Sequence, residues 1–180
     1  MKKNLEKKLK IPEGTKVEID GTKVKVKGKE GEIEKEFRIK NMKIEKKENE
    51  IIISGKNATK REKKMMNTIA AHIKNMIEGA DKKFEYKLKI CYSHFPMTIE
   101  MKGDEAMIKN FLGERIARKA KIMEGVNVNV NREIIEISSA NKEAAGQTAA
   151  NFEKATWIRL RDRRVFQDGI FITEKPGREK

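Results

Sequence analysis

The N-terminal part of the chain alternates between apolar and charged residues with the period of two that is typical of β-strands. Asp20 and Gly21 interrupt this alternation and supply the positive φ angle that a tight hairpin turn requires. The pattern therefore predicts a β-hairpin, and further short strands are predicted around Phe37–Ile39 and Ile51–Ile53. Four apolar residues share the face of the hairpin that we expect to be buried: Val17, Ile19, Val24 and Val26.

The spacing of apolar residues then changes to that of a helix. Thr59 and Glu62 have the spacing of a capping box, in which each side chain bonds to the backbone N–H of the other residue. Gly79 is the expected end of this helix, because glycine commonly terminates helices. The apolar residues that define the helix are Met65, Ile69, Ile73, Met76 and Ile77.

Two patterns of the first half return in the second half in the same order. Glu50–Ser54 resembles Glu133–Ser138 with one additional residue, and Ala70–Ile73 resembles Ala149–Phe152. We interpret the chain as a duplicated unit. A strand before a capped helix is itself a common arrangement, so chance similarity is the alternative interpretation.

Each unit is expected to be an antiparallel β-sheet covered on one face by an α-helix, which predicts an α+β fold. We expect an N-terminal sheet-plus-helix domain at 1–81, a C-terminal sheet-plus-helix domain at 82–158 and a basic tail at 159–180. The second unit is expected to differ from the first by an additional stretch, Glu105–Arg118, and the tail holds a short apolar piece, Gly169–Ile172.

The charge of the chain points to its partner. It has 42 lysine and arginine residues against 28 aspartate and glutamate residues, a net charge of +14, and an isoelectric point near 9.7. Each cation that neutralises a phosphate releases a condensed counterion, so this balance favours a polyanion. A surface rich in lysine and glutamate is also typical of thermophilic proteins, which is the alternative interpretation.

Residues for catalysis or metal binding are few. His72 lies in the predicted helix, where a capping or core-edge role is expected. Cys91 and His94 are three residues apart, but zinc needs about four ligands and no further histidine or cysteine is available nearby. A nucleophile pair would need a third orienting group and a pocket. The lone cysteine excludes an internal disulfide. We expect no enzyme activity, no cofactor, no metal and no small-molecule substrate.

No apolar run approaches the roughly 18 residues that a membrane-spanning helix needs. The N-terminus has charges but lacks the apolar region of a secretory signal. We therefore expect a cytoplasmic protein with no membrane partner.

Arginine is concentrated near the C-terminus, although lysine is the usual cation of this chain. Arginine binds phosphate with two parallel hydrogen bonds and stacks on bases, so we expect this segment to contact RNA. Ion pairs with Asp162 and Asp168 are the alternative. Phe166 and Phe171 could also stack on bases, but packing beneath the tail is the expected role of both. Half of the chain's ten arginines lie in its last 22 residues: Arg159, Arg161, Arg163, Arg164 and Arg178.

Several motifs follow one another in order along the chain. Together they resemble the large-subunit ribosomal protein family called L six, and they are most similar to its archaeal and eukaryotic branch. The resemblance covers essentially the whole chain and is weakest over the first 50 residues. The motifs are Asn75–Gly79, Tyr86–Lys89, Tyr92–Pro96, Asn110–Glu114, Gly146–Ala150 and Asp162–Ile170.

The resemblance implies a duplicated sheet-plus-helix fold and a place in the cytoplasmic ribosome, close to the sarcin–ricin loop where translational GTPases dock. The implied partners are large-subunit ribosomal RNA and neighbouring ribosomal proteins. The family commonly has tyrosine where this chain has Phe171, so any hydrogen bond that this phenol makes to RNA or backbone in the family is missing here. Basic residues are also clustered at 109–121 and in the last 22 residues. Together with these clusters, the motifs mark the following RNA-facing candidates: Ser93, His94, Pro96, Lys109, Arg115, Arg118, Lys119, Arg159, Arg161, Arg163, Arg164, Lys175 and Arg178.

Three alternatives remain open at this point. The first is a free-standing RNA-binding regulator or chaperone of the same fold. The second is a small hydrolase or nuclease that uses Cys91 and His94. The third is a protein-interaction module whose exposed sheet face recruits a translation factor.

Overall fold

The computed structural model describes residues 3–12, 14–39, 42–47 and 49–179. It divides into two compact units, Met1–Lys83 and Phe84–Lys180. Each unit combines antiparallel strands with one long helix, which confirms the α+β class. Neither of these two helices has the apolar length to cross a membrane.

The described part of the first unit holds six strands and one helix. The strands form two antiparallel sheets, in the orders β1-β6-β5 and β2-β3-β4. The helix α1 packs on both sheets through its apolar face. The elements are β1 (Lys3–Lys10), β2 (Lys16–Asp20), β3 (Lys23–Gly28), β4 (Gly31–Glu36), β5 (Met42–Lys47), β6 (Glu50–Ala58) and α1 (Lys60–Asp81).

The predicted hairpin is present as β2 and β3. Asp20 pairs with Lys23 across a two-residue turn, in which Gly21 takes the positive φ angle of 57°. The period-two alternation places the valines of both strands in the core, as their spacing predicts. The buried residues of this hairpin are Val17, Val24 and Val26.

The capping box of α1 is also present. The Thr59 N–H donates to Glu62 Oε2 at 2.6 Å, and the Glu62 N–H donates to Thr59 Oγ1 at 3.4 Å. The expected end of the helix at Gly79 is wrong, because α1 continues to Asp81. Gly79 is buried within the last turns of the helix and does not terminate it.

The strand expected around Phe37–Ile39 is absent, because β4 ends at Glu36 and the next three residues form no regular structure. Phe37 is nevertheless buried, and its ring centroid lies 6.1 Å from that of His72. His72 is therefore at the edge of the core, as expected. The charged strands β1 and β5 were not predicted, since their few apolar residues are hidden among lysines and glutamates.

The second unit adds eight strands and a second long helix to the described structure. Its sheets have the orders β10-β9-β8 and β11-β12-β7-β13-β14. The elements are β7 (Phe84–Cys91), β8 (Thr98–Lys102), β9 (Glu105–Lys109), a 3₁₀ turn (Phe111–Gly113), β10 (Arg118–Lys121), β11 (Asn127–Asn131), β12 (Ile134–Ser139), α2 (Lys142–Ala155), β13 (Gly169–Lys175) and β14 (Arg178–Glu179).

The order of strands confirms the duplication. The sheet β1-β6-β5 corresponds to β7-β12-β11, and the sheet β2-β3-β4 corresponds to β8-β9-β10. Each unit thus has two sheets, where one was expected. The stretch Glu105–Arg118 is not an addition, since it contains the counterpart of β3 and the start of the counterpart of β4. What differs is the connection between those strands, a short turn in the first unit and residues 110–117 in the second.

Residues 159–180 do not form a separate tail. Gly169–Lys175 is β13, which pairs antiparallel with β7, and Ile170 is fully buried in the second core. Two alanines of α2, Ala145 and Ala149, are fully buried beside Phe152 in the same core. Residues 156–168 are therefore a loop that connects α2 to β13.

Gly28→Ala should destabilise the first unit. A β-carbon at residue 28 would lie 2.4 Å from the Ala80 carbonyl oxygen, which is backbone and cannot rotate away. We expect a loss of about 1–3 kcal/mol in the free energy of unfolding, measured with urea. Lys27→Ala, at an exposed neighbouring position, is the control, and equal unfolding midpoints for the two variants would contradict the close packing.

Candidate nucleic-acid interface

Three loops of the second unit meet at one end of its sheets. Cys91 at the end of β7 pairs with Gly169 at the start of β13, so the loops beside these residues leave the sheet together. The third loop is joined to them by side-chain hydrogen bonds described below. We call residues 92–97, 110–117 and 156–168 the loop face.

The carboxylate of Asp168 fastens two of these loops together. The Ser93 hydroxyl donates to Asp168 Oδ1 at 2.8 Å, and the His94 N–H donates to Oδ2 at 3.3 Å, while His94 Nδ1 lies 3.0 Å from Oδ1. Asp168 is only 1% exposed. Burial alone would raise the pKa of Asp168, but the hydrogen bonds from His94 and Ser93 outweigh it and hold the pKa below its ordinary value.

Ser93, His94 and Asp168 have the residue types of a catalytic triad but not its geometry. In a triad the carboxylate bonds to one ring nitrogen of the histidine and the nucleophile bonds to the other. Here Ser93 Oγ and Asp168 Oδ1 both lie beside Nδ1, at 3.1 and 3.0 Å. This trio joins loops and is not arranged for nucleophilic catalysis. The described residues also contain no group of three side chains suited to a metal ion.

Phe166 supports two of the candidate residues. Its ring stacks on that of His94 with centroids 5.1 Å apart, and the Arg161 guanidinium lies 4.8 Å from its centroid. This cation–π contact orients Arg161 without using its N–H groups. Within the described structure Arg161 forms no hydrogen bond, so its donors face solvent.

Arg118 has a structural role that the sequence did not indicate. Its Nε and Nη2 donate to the two carboxylate oxygens of Glu114 at 2.8 and 2.6 Å. Its Nη1 donates to the carbonyl oxygens of Ala155 and Trp157 at 2.9 and 3.1 Å. The guanidinium also lowers the pKa of Glu114 through these hydrogen bonds. Arg118 thereby joins the loop 110–117 to the end of α2, and its donors are occupied within the protein.

The loop 110–117 is shaped by unusual backbone angles. Asn110 and Leu112 have φ angles of 60° and 49°, and Gly113 follows at 76°. Asn110 Nδ2 donates to the Pro96 carbonyl oxygen at 3.0 Å, which ties this loop to the loop 92–97. Pro96 therefore contributes to the loop face through its backbone.

Three further candidates form ion pairs on the surface. Lys109 pairs with Glu100 at 2.5 Å, and Lys119 pairs with Glu105 at 2.9 Å. Arg164 pairs with Asp162 at 2.9 Å, which is one of the two ion pairs considered as the alternative to RNA contact. Asp168, the second aspartate considered, forms no ion pair with an arginine among the described residues. Exposed pairs of this kind contribute at most about 1 kcal/mol, so a phosphate can replace the carboxylate.

The exposed arginines without such pairs are the cations most available to bind a phosphate. Arg115, Arg159 and Arg163 form no hydrogen bond or ion pair with the residues that the structure describes. Lys175 is not near them, because it lies at the opposite end of β13, about 20 Å from Gly169 at the usual rise of a strand. The side chain of Arg178 lies outside the described residues.

A cleft of about 980 Å³ opens between the end of α2 and β13. Arg163 lines the cleft together with four aromatic residues, and the sequence did not indicate that these residues meet. Packing of Phe171 in the core was expected and is wrong, since its side chain is 39% exposed. Trp157 is 52% exposed. Its position two residues before Arg159, the first of the C-terminal arginines, is the sequence feature that could have marked it as a candidate. The aromatic residues of the cleft are Tyr92, Trp157, Phe166 and Phe171.

Apolar side chains also protrude from the loop face. Leu160 is fully exposed with a φ angle of 58°, and Ile116 and Val165 are exposed as well. Exposed apolar groups next to arginines indicate a surface that a partner covers.

Net charge alone does not distinguish the loop face from the surface of the first unit. The first unit has 24 basic and 14 acidic residues, and the second has 18 and 14. Three lysines of β3, however, pair with glutamates of the neighbouring strand β4: Lys23 and Lys25 with Glu34, and Lys27 with Glu32. Unpaired arginines and exposed aromatic rings distinguish the loop face.

Comparisons with known proteins agree with the duplicated fold. The family model described as Ribosomal protein L6 matches residues 11–83 and 95–169, one segment in each unit. The chain is 47% identical over 173 residues to the "Large ribosomal subunit protein uL6" of Sulfurisphaera tokodaii, covering 96% of this chain and 93% of the relative. It is 42% identical over 174 residues to the protein of the same description from Methanococcus vannielii, covering 97% and 96%.

Arg118→Lys should destabilise the second unit, since an ammonium group with three donors on one nitrogen cannot reproduce the four hydrogen bonds that the guanidinium makes to Glu114 and two carbonyl groups. We expect a loss of about 1–3 kcal/mol in the free energy of unfolding. Lys119→Ala removes only an exposed ion pair and should cost less than about 1 kcal/mol. Urea unfolding of both variants checks this, and equal losses would show that Arg118 does not join the loops.

Asp168→Asn should lower stability at neutral pH and have less effect in acid. The folded pKa of Asp168 lies below its unfolded value of about 3.9, so its carboxylate stabilises the fold above that pH and loses this effect as the pH falls through the folded pKa. We expect a deficit of about 1 kcal/mol at pH 7 that shrinks below about pH 4. Urea titrations at both pH values check it, and a constant deficit would contradict the role of the charge.

Proposed function

This chain belongs to the ribosomal protein L6 family, and on that premise we propose that its loop face holds large-subunit ribosomal RNA near the sarcin–ricin region. As a large-subunit ribosomal protein it is a structural component of the ribosome, not an enzyme, and it binds ribosomal RNA and other ribosomal proteins. A position close to the docking site of translational GTPases is part of the same proposal. The work of such a protein is to neutralise phosphates and to fix the relative positions of RNA segments.

The observation that carries this proposal is the meeting of unpaired arginines and exposed aromatic rings on one face. Arg115, Arg159 and Arg163 offer planar donor groups that match phosphate geometry and that no described protein group occupies. Trp157 and Tyr92 beside them present rings on which bases can stack. Phosphate contacts set the register of a protein on RNA, and the stacked bases add local selectivity.

The loops are held rigidly enough for this task. Asp168 ties loop 92–97 to loop 156–168, and Arg118 ties loop 110–117 to the end of α2. A face whose side chains are already positioned loses less conformational entropy when it binds. The candidate residues thus divide into those that build the face, such as Asp168 and Arg118, and those that it presents.

A second candidate function concerns the face of the five-stranded sheet opposite α2. Ile134 is exposed on that face, and Lys87 and Glu174 form an ion pair across its strands at 2.8 Å. A neighbouring ribosomal protein could cover this surface. Such a contact would coexist with RNA binding by the loop face.

The double variant Arg159→Ala plus Arg163→Ala should weaken binding of a large-subunit ribosomal RNA fragment that contains the sarcin–ricin region. Each lost cation gives up a phosphate contact, so we expect a loss of about tenfold or more in affinity and a salt slope smaller by about 2. Arg38→Ala plus Arg61→Ala, two exposed arginines of the first unit, is the matched control and should change affinity far less. Filter binding over a range of salt concentrations measures both quantities.

Equal losses in the two double variants would show that the loop face is not the RNA-binding surface. A salt-independent affinity of the unmodified chain would contradict the electrostatic account altogether. Cosedimentation with large subunits in high salt separates a ribosomal component, which stays bound, from a free-standing regulator of the same fold.

A further inference from the structure

We propose that the cleft beside Trp157 receives one unpaired nucleotide of the bound RNA, with its base stacked on the indole ring and its phosphate on Arg163. This inference rests on the proposed function, because the nucleotide belongs to the RNA that the loop face holds. It goes beyond that function by assigning the cleft a ligand of defined chemistry.

The shape of the cleft favours a single base over a helix. In an A-form duplex both faces of each base are covered by its neighbours, and the helix as a whole is too wide for a cleft of about 980 Å³. An unpaired base has an exposed aromatic face, which stacks on tryptophan or phenylalanine whatever its sequence. A duplex can lie across the outer arginines, but it would leave the cleft empty.

The backbone of Trp157 is fixed while its ring is left uncovered. Its N–H donates to the Lys154 carbonyl oxygen at 3.2 Å, and its own carbonyl oxygen accepts from Arg118 Nη1 at 3.1 Å. The side chain nevertheless remains 52% exposed. An exposed indole on an anchored backbone is suited to stacking on a ligand.

Phe171 lines the same cleft, and its ring lies beside Gly169. A β-carbon at residue 169 would lie 3.1 Å from the Phe171 ring, so a larger residue at position 169 would displace that ring. The absence of a side chain at Gly169 therefore leaves room for the Phe171 ring at the wall of the cleft. The phenylalanine offers a ring face without a hydroxyl group that needs a partner.

Polar groups at the cleft match the rest of a nucleotide. Arg163 has no ion pair among the described residues and can bind a phosphate in bidentate fashion. Gln167 donates from Nε2 to the Arg164 carbonyl oxygen at 3.2 Å, which orients its amide and leaves Oε1 as an acceptor for the amino group of a base. Glu153 and Lys154 also line the cleft and nearly cancel each other's charge.

Trp157 is the only tryptophan of the chain, so its fluorescence reports on this cleft alone. The full-length chain is titrated with the ribosomal RNA fragment used above, and with versions in which each unpaired nucleotide in turn is made abasic. We expect the intact fragment to quench the fluorescence. Removal of one particular base should abolish the quenching and weaken binding by about tenfold, the usual contribution of one stacked base.

Variants separate stacking from folding. Trp157→Leu should lose the same tenfold and become insensitive to removal of that base, while Trp157→Phe should retain most of the affinity. Met101→Ala removes an exposed apolar side chain of β8 that lies outside the loop face, and it should leave affinity and quenching unchanged. Urea unfolding of all three confirms that they are folded.

The possible results distinguish the two proposals. Binding of the RNA without quenching, or with equal affinity for every abasic version, overturns the assignment of the cleft and leaves the proposed function standing. Failure of the unmodified chain to bind the fragment at all overturns both. Quenching by a free mononucleotide at the same concentration would also overturn the inference, because the cleft would then not require RNA.

Discussion

The loop face depends on the antiparallel pairing of β13 with β7. This pairing sets Cys91 opposite Gly169 and so brings the loop after β7 beside the loop before β13. The buried carboxylate of Asp168 then has Ser93 and His94 within hydrogen-bond distance. Without β13, nothing would return residues 156–168 from the end of α2 to the sheet. The arginines of that segment would then have no fixed position, and the cleft beside Trp157 would have only one wall.

The two units show how one fold can carry different surfaces. Their sheets have the same strand order and each has one helix across them, yet the loops differ. In the first unit the connection between β3 and β4 is a short turn, and charges pair along the strands. In the second unit the corresponding connection is the loop 110–117, and two further strands follow the helix. The surface we assign to RNA is built on these additions and not on the repeated core, in keeping with the general observation that function resides in sites placed on a fold.

Basic residues that look alike in the sequence have unlike roles in the structure. Arg118 has its donors taken by Glu114 and by two backbone carbonyl groups, whereas Arg163 has no partner among the described residues. The difference arises because a guanidinium near the end of a helix finds unsatisfied carbonyl oxygens there. Arg163, in an exposed loop, has no such acceptor among the described residues. The availability of a cation is therefore a property of its surroundings, and the density of charge along the chain does not reveal it.

The sequence by itself determined the class of the fold, the hairpin at Asp20–Gly21, the capping box at Thr59 and the duplication. These features depend on local rules of turn geometry, capping and periodicity, which act over a few residues. Its ordered motifs also indicated the family. Only the tertiary structure decided that Gly169–Lys175 joins the second sheet, that Gly79 lies inside α1, and that Phe171 and Trp157 line a cleft. Those outcomes depend on which distant segments pack together, such as Gly28 against Ala80 and Cys91 beside Gly169. Pairings over such separations leave no periodic trace in the chain, so no local pattern could have predicted them.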